Sequence, residues 1–247
     1  MLNARYQQLP SRSLNRRVHM WTYGWWGDPV IIFPSASGMA HEWQAASAID
    51  TLRPLIEAGR IKLYCPETNC SESWSRRDDD PRLRVARHQA YERFVIDELV
   101  PYIRQDCESP DIRVSAVGCS LGAFYAANMA LKHSEIFKWA LCLSGRYRTD
   151  RFLGGYSDLD VYYNHPVAYV PNMSGEALDK VQQNTSLTLV VGLGPHEGGC
   201  IEETLTMASL LAQKNIPHER DVWGRDSAHH WTWWKRQINH HFSRRWA

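Results

Sequence analysis

The pentapeptide Gly118-Cys119-Ser120-Leu121-Gly122 falls where an apolar strand gives way at once to a helix, and few folds accommodate that junction. Before it, Ile112, Val114 and Val117 form a β-branched run suited to a buried strand. After it comes a helical segment of small residues. G-x-S-x-G in this setting is a nucleophile elbow, a turn so tight that the residues two before and two after the serine must be small. The serine is then held exposed in a strained backbone conformation. A capping serine in a glycine-rich turn is the plainer reading, and the strand and helix on either side weigh against it.

Around the elbow, strands and helices alternate. Arg17 to Gly24 alternates apolar and polar residues, and Val30 to Phe33 is apolar throughout. A helix is expected over 45–58, a strand at Ile61 to Cys65 and a long helix from Leu83 to Arg104. Beyond the elbow helix the pattern predicts strands at Trp139 to Leu143, Leu187 to Val191 and Pro217 to Trp223. It also predicts helices from Glu202 to Lys214 and from Trp231 onward. This order predicts an α/β fold with a mostly parallel sheet and helices on both faces, as one domain over 1–247. The irregular, Tyr-rich stretch 144–184 reads as a lid-like insertion over one end of the sheet. Right-handed crossovers gather the catalytic loops at the carboxyl ends of the strands.

A serine hydroxyl is a poor nucleophile at neutral pH, so it needs a base, and the base needs an orienting carboxylate. In folds with this elbow the chain order is Ser, Asp or Glu, then His. The base belongs in Gly224-Arg225-Asp226-Ser227-Ala228-His229-His230, where both histidines qualify by position. The acid belongs after strand 187–191, where Glu197 is the carboxylate of the loop, with Asp158, Asp160 and Asp226 as fallbacks. An oxyanion needs two N–H donors. Leu121 supplies one at the start of the elbow helix; the loop after Phe33 supplies the other, at Ala36 or next at Ser37.

With 28 basic and 27 acidic residues, the chain lacks the field that nucleic acid or an anionic membrane would require. No run reaches the roughly 18 apolar residues of a membrane span, and the first twenty residues lack the apolar core of a secretory signal. The six cysteines form no CxxC pair and suit buried thiols in a reducing cytoplasm, with a Cys65–Cys70 disulfide as the runner-up. The adjacent His229 and His230 do not have metal-ligand spacing, so neither metal nor cofactor is expected. The expected partner is a small-molecule ester. Eleven Trp and eleven Tyr leave room for an aromatic-lined pocket, and Trp43, Trp74, Tyr147 and Tyr163 are the candidates to line it.

The chain resembles the bacterial "putative esterase" family of the α/β-hydrolase superfamily, relatives of esterase D, feruloyl esterase and antigen 85-type proteins. The residues that carry the likeness are Ser13-Leu14-Asn15-Arg16, Phe33-Pro34-Ser35-Ala36, the elbow itself, and His229-His230-Trp231 followed by Trp234. The resemblance implies that His229 is the base and that His230 occupies the family's aspartate position. It likewise aligns Gly194-Pro195-His196-Glu197 with a G-x-x-D acid loop, glutamate replacing aspartate. A serine carboxylic ester hydrolase with a Ser120-His229-Glu197 triad is therefore expected. Acyl transfer to an alcohol or sugar by the same triad is the alternative, and a non-catalytic binding protein on this fold is the third reading.

Overall fold

Strand β3 (Asp28–Phe33) sets the pattern of the whole sheet by sending alternate side chains to opposite faces. Ile31 and Phe33 enter one apolar core, while Val30 and Ile32 enter a second on the other side. Both cores are needed because the central strands are covered on both faces. Strands β4 (Ile61–Pro66), β5 (Val114–Cys119) and β7 (Leu187–Val191) are likewise buried along their full length. Each large apolar side chain so buried contributes roughly 1.5–3 kcal/mol.

The computed structural model describes residues 2–246. With β1 (Ala4–Ser11), β2 (Arg16–Tyr23), β6 (Phe137–Leu143) and β8 (His218–Val222), the strands form one eight-stranded sheet in the order β1-β2-β4-β3-β5-β6-β7-β8. The pairs β1–β2 and β2–β4 are antiparallel, and every pair from β4–β3 onward is parallel. The carboxyl ends of β5 to β8 thus lie side by side, and they open into the loops predicted to hold the site.

Strand β1 was not legible from periodicity. Its sequence, ARYQQLPS, is mostly polar, and as an edge strand it exposes much of both faces. Side-chain bonds tie it down instead: Arg5 to Asp106 at 2.8 Å and Gln7 to the Tyr102 hydroxyl at 2.7 Å. The helix expected over 45–58 is three short helices, α1 (Glu42–Ala45), α2 (Ala48–Thr51) and α3 (Arg53–Glu57), broken at Ser47 by a positive φ of 56°. The long helix is α4 (Pro81–Arg93), a π-helical turn (Phe94–Leu99) and α5 (Val100–Asp106), which starts around Pro101, a residue with no N–H to donate.

Helix α6 (Leu121–Lys132) is buried all round from Leu121 to Leu131. Segment 144–184 folds over its outer side as α7 (Leu159–Tyr162), α8 (Pro166–Tyr169) and α9 (Gly175–Asn184). Asn128, buried in α6, donates to Asn164 at 3.1 Å and accepts from the Tyr169 hydroxyl at 3.0 Å, which fastens the segment to the elbow helix. Helices α10 (Gly198–Gln213) and α11 (Trp231–Trp246) complete the two outer layers. All six cysteines are free thiols, so the Cys65–Cys70 alternative does not hold. Among the described residues, no helix is long and apolar enough to cross a membrane.

Candidate active site

Ser120 stands between β5 and α6 with φ 57° and ψ −118°, a conformation that costs a side-chain-bearing residue on the order of 1–3 kcal/mol. Tight backbone packing holds it there. A Cβ on Gly118 would lie 2.2 Å from the Gly122 carbonyl carbon, and one on Gly122 would lie 2.4 Å from the Phe33 carbonyl oxygen. The Ser120 N–H donates to the Leu143 carbonyl at the end of β6, at 2.8 Å. Leu121 begins a twelve-residue helix, so its N–H points out of the helix end unclaimed by the helix.

The three strands that follow β5 in the sheet end in polar groups that bond to one another. Ser144 follows β6, Glu197 follows β7 and His229 follows β8. The loops of Glu197 and His229 lie backbone against backbone. A Cβ on Gly192 would sit 1.9 Å from the Ser227 carbonyl oxygen, Gly194 N–H donates to that oxygen at 2.9 Å, and His229 N–H donates to the Pro195 carbonyl at 3.0 Å. Glu197 is fully buried. Its Oε2 lies 3.3 Å from His229 Nδ1, and its Oε1 accepts from Ser144 Oγ at 2.5 Å. The Trp234 indole N–H in turn donates to Ser144 Oγ at 2.9 Å. Trp234 also meets the His229 ring edge-on, with centroids 4.8 Å apart at 79°.

A carboxylate facing Nδ1 favours the tautomer protonated there, which leaves Nε2 free to accept a proton. Among the described residues, no hydrogen bond joins the Ser120 hydroxyl to this imidazole; such bonds commonly tighten only when substrate arrives. Cys200 Sγ lies 3.8 Å from Nδ1. Burial first, and then the charge of Glu197, pushes its thiol up to about 12, so it stays protonated and inert. His230 is exposed and bonds Thr232 at 3.1 Å. The fallback acids are used elsewhere or exposed: Asp158 caps α7, Asp160 bonds Gln89, and Asp226 is exposed.

Two groups of side chains could hold a cation by proximity: Glu197, Cys200 and His229, and separately Asp221, His240 and His241. In each, a hydrogen bond already joins an imidazole to a carboxylate, His229 to Glu197 and His241 to Asp221.

Ser120 borders a cavity of about 210 Å³. Ser120, Leu121 and Ala36 line it together, so both predicted oxyanion donors belong to residues around one space. Ser35 is occupied, its N–H held by Glu42 at 2.6 Å. The Ala36 carbonyl accepts from Cys70 Sγ at 3.2 Å. Trp74, one of the four aromatic candidates, lines this cavity. Its indole N–H donates to His88 Nδ1 at 3.1 Å, and burial pushes the His88 imidazole down to about 3, so it stays neutral and able to accept. The other three aromatic candidates lie elsewhere. Trp43 and Tyr147 are buried in the two cores, and Tyr163 is exposed along a separate groove beside α9.

Sequence reasoning missed Ser144, Phe152, Arg77 and Arg146. Ser144 left a faint signal, a serine closing an apolar strand just before Gly145. Arg77 stands in the pair Arg76-Arg77, which like Arg16-Arg17 and Arg244-Arg245 reads more readily as a solvated face than as an anion site, and Arg146 left none.

The sheet order and the strained serine between β5 and α6, with Glu197 and His229 in the loops after β7 and β8, are those of an α/β-hydrolase fold. The chain belongs to the Esterase family, described as "Putative esterase", whose model matches residues 27–244, and it is a carboxylesterase-type hydrolase. Solved structures of the same fold include a ferulic acid esterase (16% identity, 96% of this chain and 95% of that one, TM-score 0.74). An S-formylglutathione hydrolase from Staphylococcus aureus is similar at 15% identity, 98% and 96% coverage and TM-score 0.73. A fluorophosphonate-binding serine hydrolase from Staphylococcus aureus is similar at 13% identity, 98% and 97% coverage and TM-score 0.75. No curated protein matches by sequence.

Proposed function

We propose that the protein cleaves carboxylic esters through an acyl-enzyme on Ser120. Ser120 Oγ adds to the ester carbonyl carbon while His229 Nε2 takes its proton. The carbonyl oxygen becomes an oxyanion held by the Leu121 and Ala36 N–H groups, one at the positive end of α6. The tetrahedral adduct collapses, the C–O bond to the alcohol breaks, and the imidazolium returns the proton to the departing oxygen. Water then adds to the acyl-serine with His229 again as base, and the acid leaves as Ser120 regains its hydrogen. Glu197 fixes the Nδ1–H tautomer and offsets the imidazolium charge, and Ser144 fixes Glu197.

The observation that carries this reading is the buried run Trp234–Ser144–Glu197–His229, which ends on an imidazole whose Nε2 remains available. A buried carboxylate with one oxygen on a donated hydroxyl and the other on a histidine is costly unless both bonds are made. The test is Ser120→Ala assayed with p-nitrophenyl acetate. Turnover is expected to fall at least about a thousand-fold with an unchanged circular dichroism spectrum, and unchanged turnover would overturn the proposal.

A further inference from the structure

Building on that reading of Ser120, we infer that the cavity beside it is made for a compact ester carrying a carboxylate, received between Arg77 and Arg146. Both guanidinium-bearing residues line the cavity, and among its described lining residues there is no carboxylate. The surrounding acids are engaged elsewhere. Asp79 pairs with Arg87 and Arg76, Asp78 with Arg76, and Glu42 with Ser35. Arg77 is exposed at the rim, with no ion pair or hydrogen bond among the described residues.

Arg146 is a built feature. Its Nε lies 3.3 Å from Oε1 of Glu203, which is fully buried and whose Oε2 accepts from the N–H groups of Tyr147 at 2.6 Å and Arg148 at 2.9 Å. With Nε turned toward Glu203, the two terminal nitrogens form the other edge of the guanidinium, the fork that matches a carboxylate. Room for that fork is left by Gly199, where an added Cβ would fall 1.9 Å from Nη1. Gly199 lies in the first turn of α10 and has no left-handed backbone to explain a glycine. Arg151 lies 3.7 Å from the same Glu203 oxygen but nearer to Glu202, at 3.2 Å, so the uncompensated charge at the cavity is that of Arg77.

The walls complete the selection. Trp74 and Phe152 pack against each other with ring centroids 6.1 Å apart at 45°, and together they give the cavity an apolar wall for a short carbon body. At about 30 Å³ per water, the cavity of about 210 Å³ has room for about seven water-sized groups, enough for a short acid portion of an ester.

The experiment compares kcat/KM within two matched pairs of esters. In p-nitrophenyl hydrogen succinate and its methyl ester the charge sits on the acyl side. In 4-acetoxybenzoate and its methyl ester it sits on the alcohol side. In at least one pair the anion should be preferred about tenfold or more at low salt, with the preference shrinking as ionic strength rises. Arg77→Met should cut that ratio at least about threefold. Arg146→Met risks the fold by leaving Glu203 short of a partner, so Gly199→Ala is the second variant: it displaces the guanidinium while removing no charge and favours the helix. Ratios near one in both pairs would overturn the inference, as would a preference that neither variant reduces. No hydrolysis of any of the four esters by folded protein would overturn the Ser120 reading itself.

Discussion

Ser120 and Glu197 are fixed by opposite means. The serine is held by exclusion, with Gly118 and Gly122 backbone packed so closely that no side chain fits. The glutamate is held by donation, through Ser144, 53 residues away, and Trp234, which is 90 residues from Ser144. Exclusion leaves glycines in a fixed, closely spaced pattern around the serine. Donation is assembled from distant strand ends and leaves only scattered residues in the sequence. The difference also predicts how each fails: breaking the first should harm the fold, and breaking the second should harm chemistry first.

Glu197→Gln is the strongest way to press the chemical half of that contrast. It keeps the volume but removes the charge and the tautomer control, so kcat should fall about 10³- to 10⁴-fold with only a small change in melting temperature. Activity within twofold of wild type would remove Glu197 from the mechanism. Gly122→Val tests the steric half. Its branches would meet the Phe33 and Pro34 carbonyl oxygens, which lie 2.4 and 2.6 Å from a Cβ there, and neither backbone atom can step aside. A loss of about 3 kcal/mol or more in urea unfolding is expected. Ser144→Ala lies between the two, leaving Glu197 Oε1 and the Trp234 N–H unpaired at once. About 1–3 kcal/mol of stability and roughly tenfold in kcat should go together; loss of neither would make the relay incidental.

His88 represents a third way of holding a residue, by an acceptor that must stay uncharged for Trp74 to keep its bond. Burial lowers its folded pKa to about 3, with Glu92 opposing and Lys132 reinforcing the shift. The unfolded chain therefore takes up a proton that the folded one refuses. The resulting stability is fully present above the unfolded value of about 6.5 and is lost as pH falls toward 3, at up to about 1.4 kcal/mol per pH unit. Glu92, held down to about 2 by His133 and Lys132 against its own burial, adds to the loss only below about 4.5. Burial also lowers His165 and His241, so wild type retains some slope from them. Between pH 6.5 and 4.5, His88→Gln should flatten the urea midpoint profile relative to wild type, and identical slopes would rule out this role.

The same division explains what the sequence could disclose. The strand at Leu187–Val191 was readable because a strand buried on both faces is predominantly apolar, and its one polar residue, Thr188, accepts from the Trp139 indole N–H at 3.0 Å. Gly118 to Gly122 was readable because tight turns restrict residue type. Strand β1 escaped notice because an edge strand tolerates polar residues on both faces, and α1 to α3 read as one helix because Ser47 does not announce a positive φ. At the site, chain order led to the loops of Glu197 and His229. Trp74 was separable from Trp43 and Tyr147 only by position, since an aromatic residue that walls a cavity and one that fills a core share the same composition and burial.

One bond at the far end of the sheet carries a consequence in time. The Trp246 indole N–H, near the end of α11, donates to Asp28 Oδ2 at 2.8 Å across 218 residues, and Lys138 reaches the same oxygen at 3.0 Å. Helix α11 starts just after His229, so the base loop is clasped only once that helix docks. During synthesis, strands β3 to β7 can find one another long before Trp246 exists, and closing so long a loop is slow. The nascent chain would carry its strained serine well before the His229 loop was anchored, and on the proposed mechanism hydrolytic competence would wait for α11 to dock.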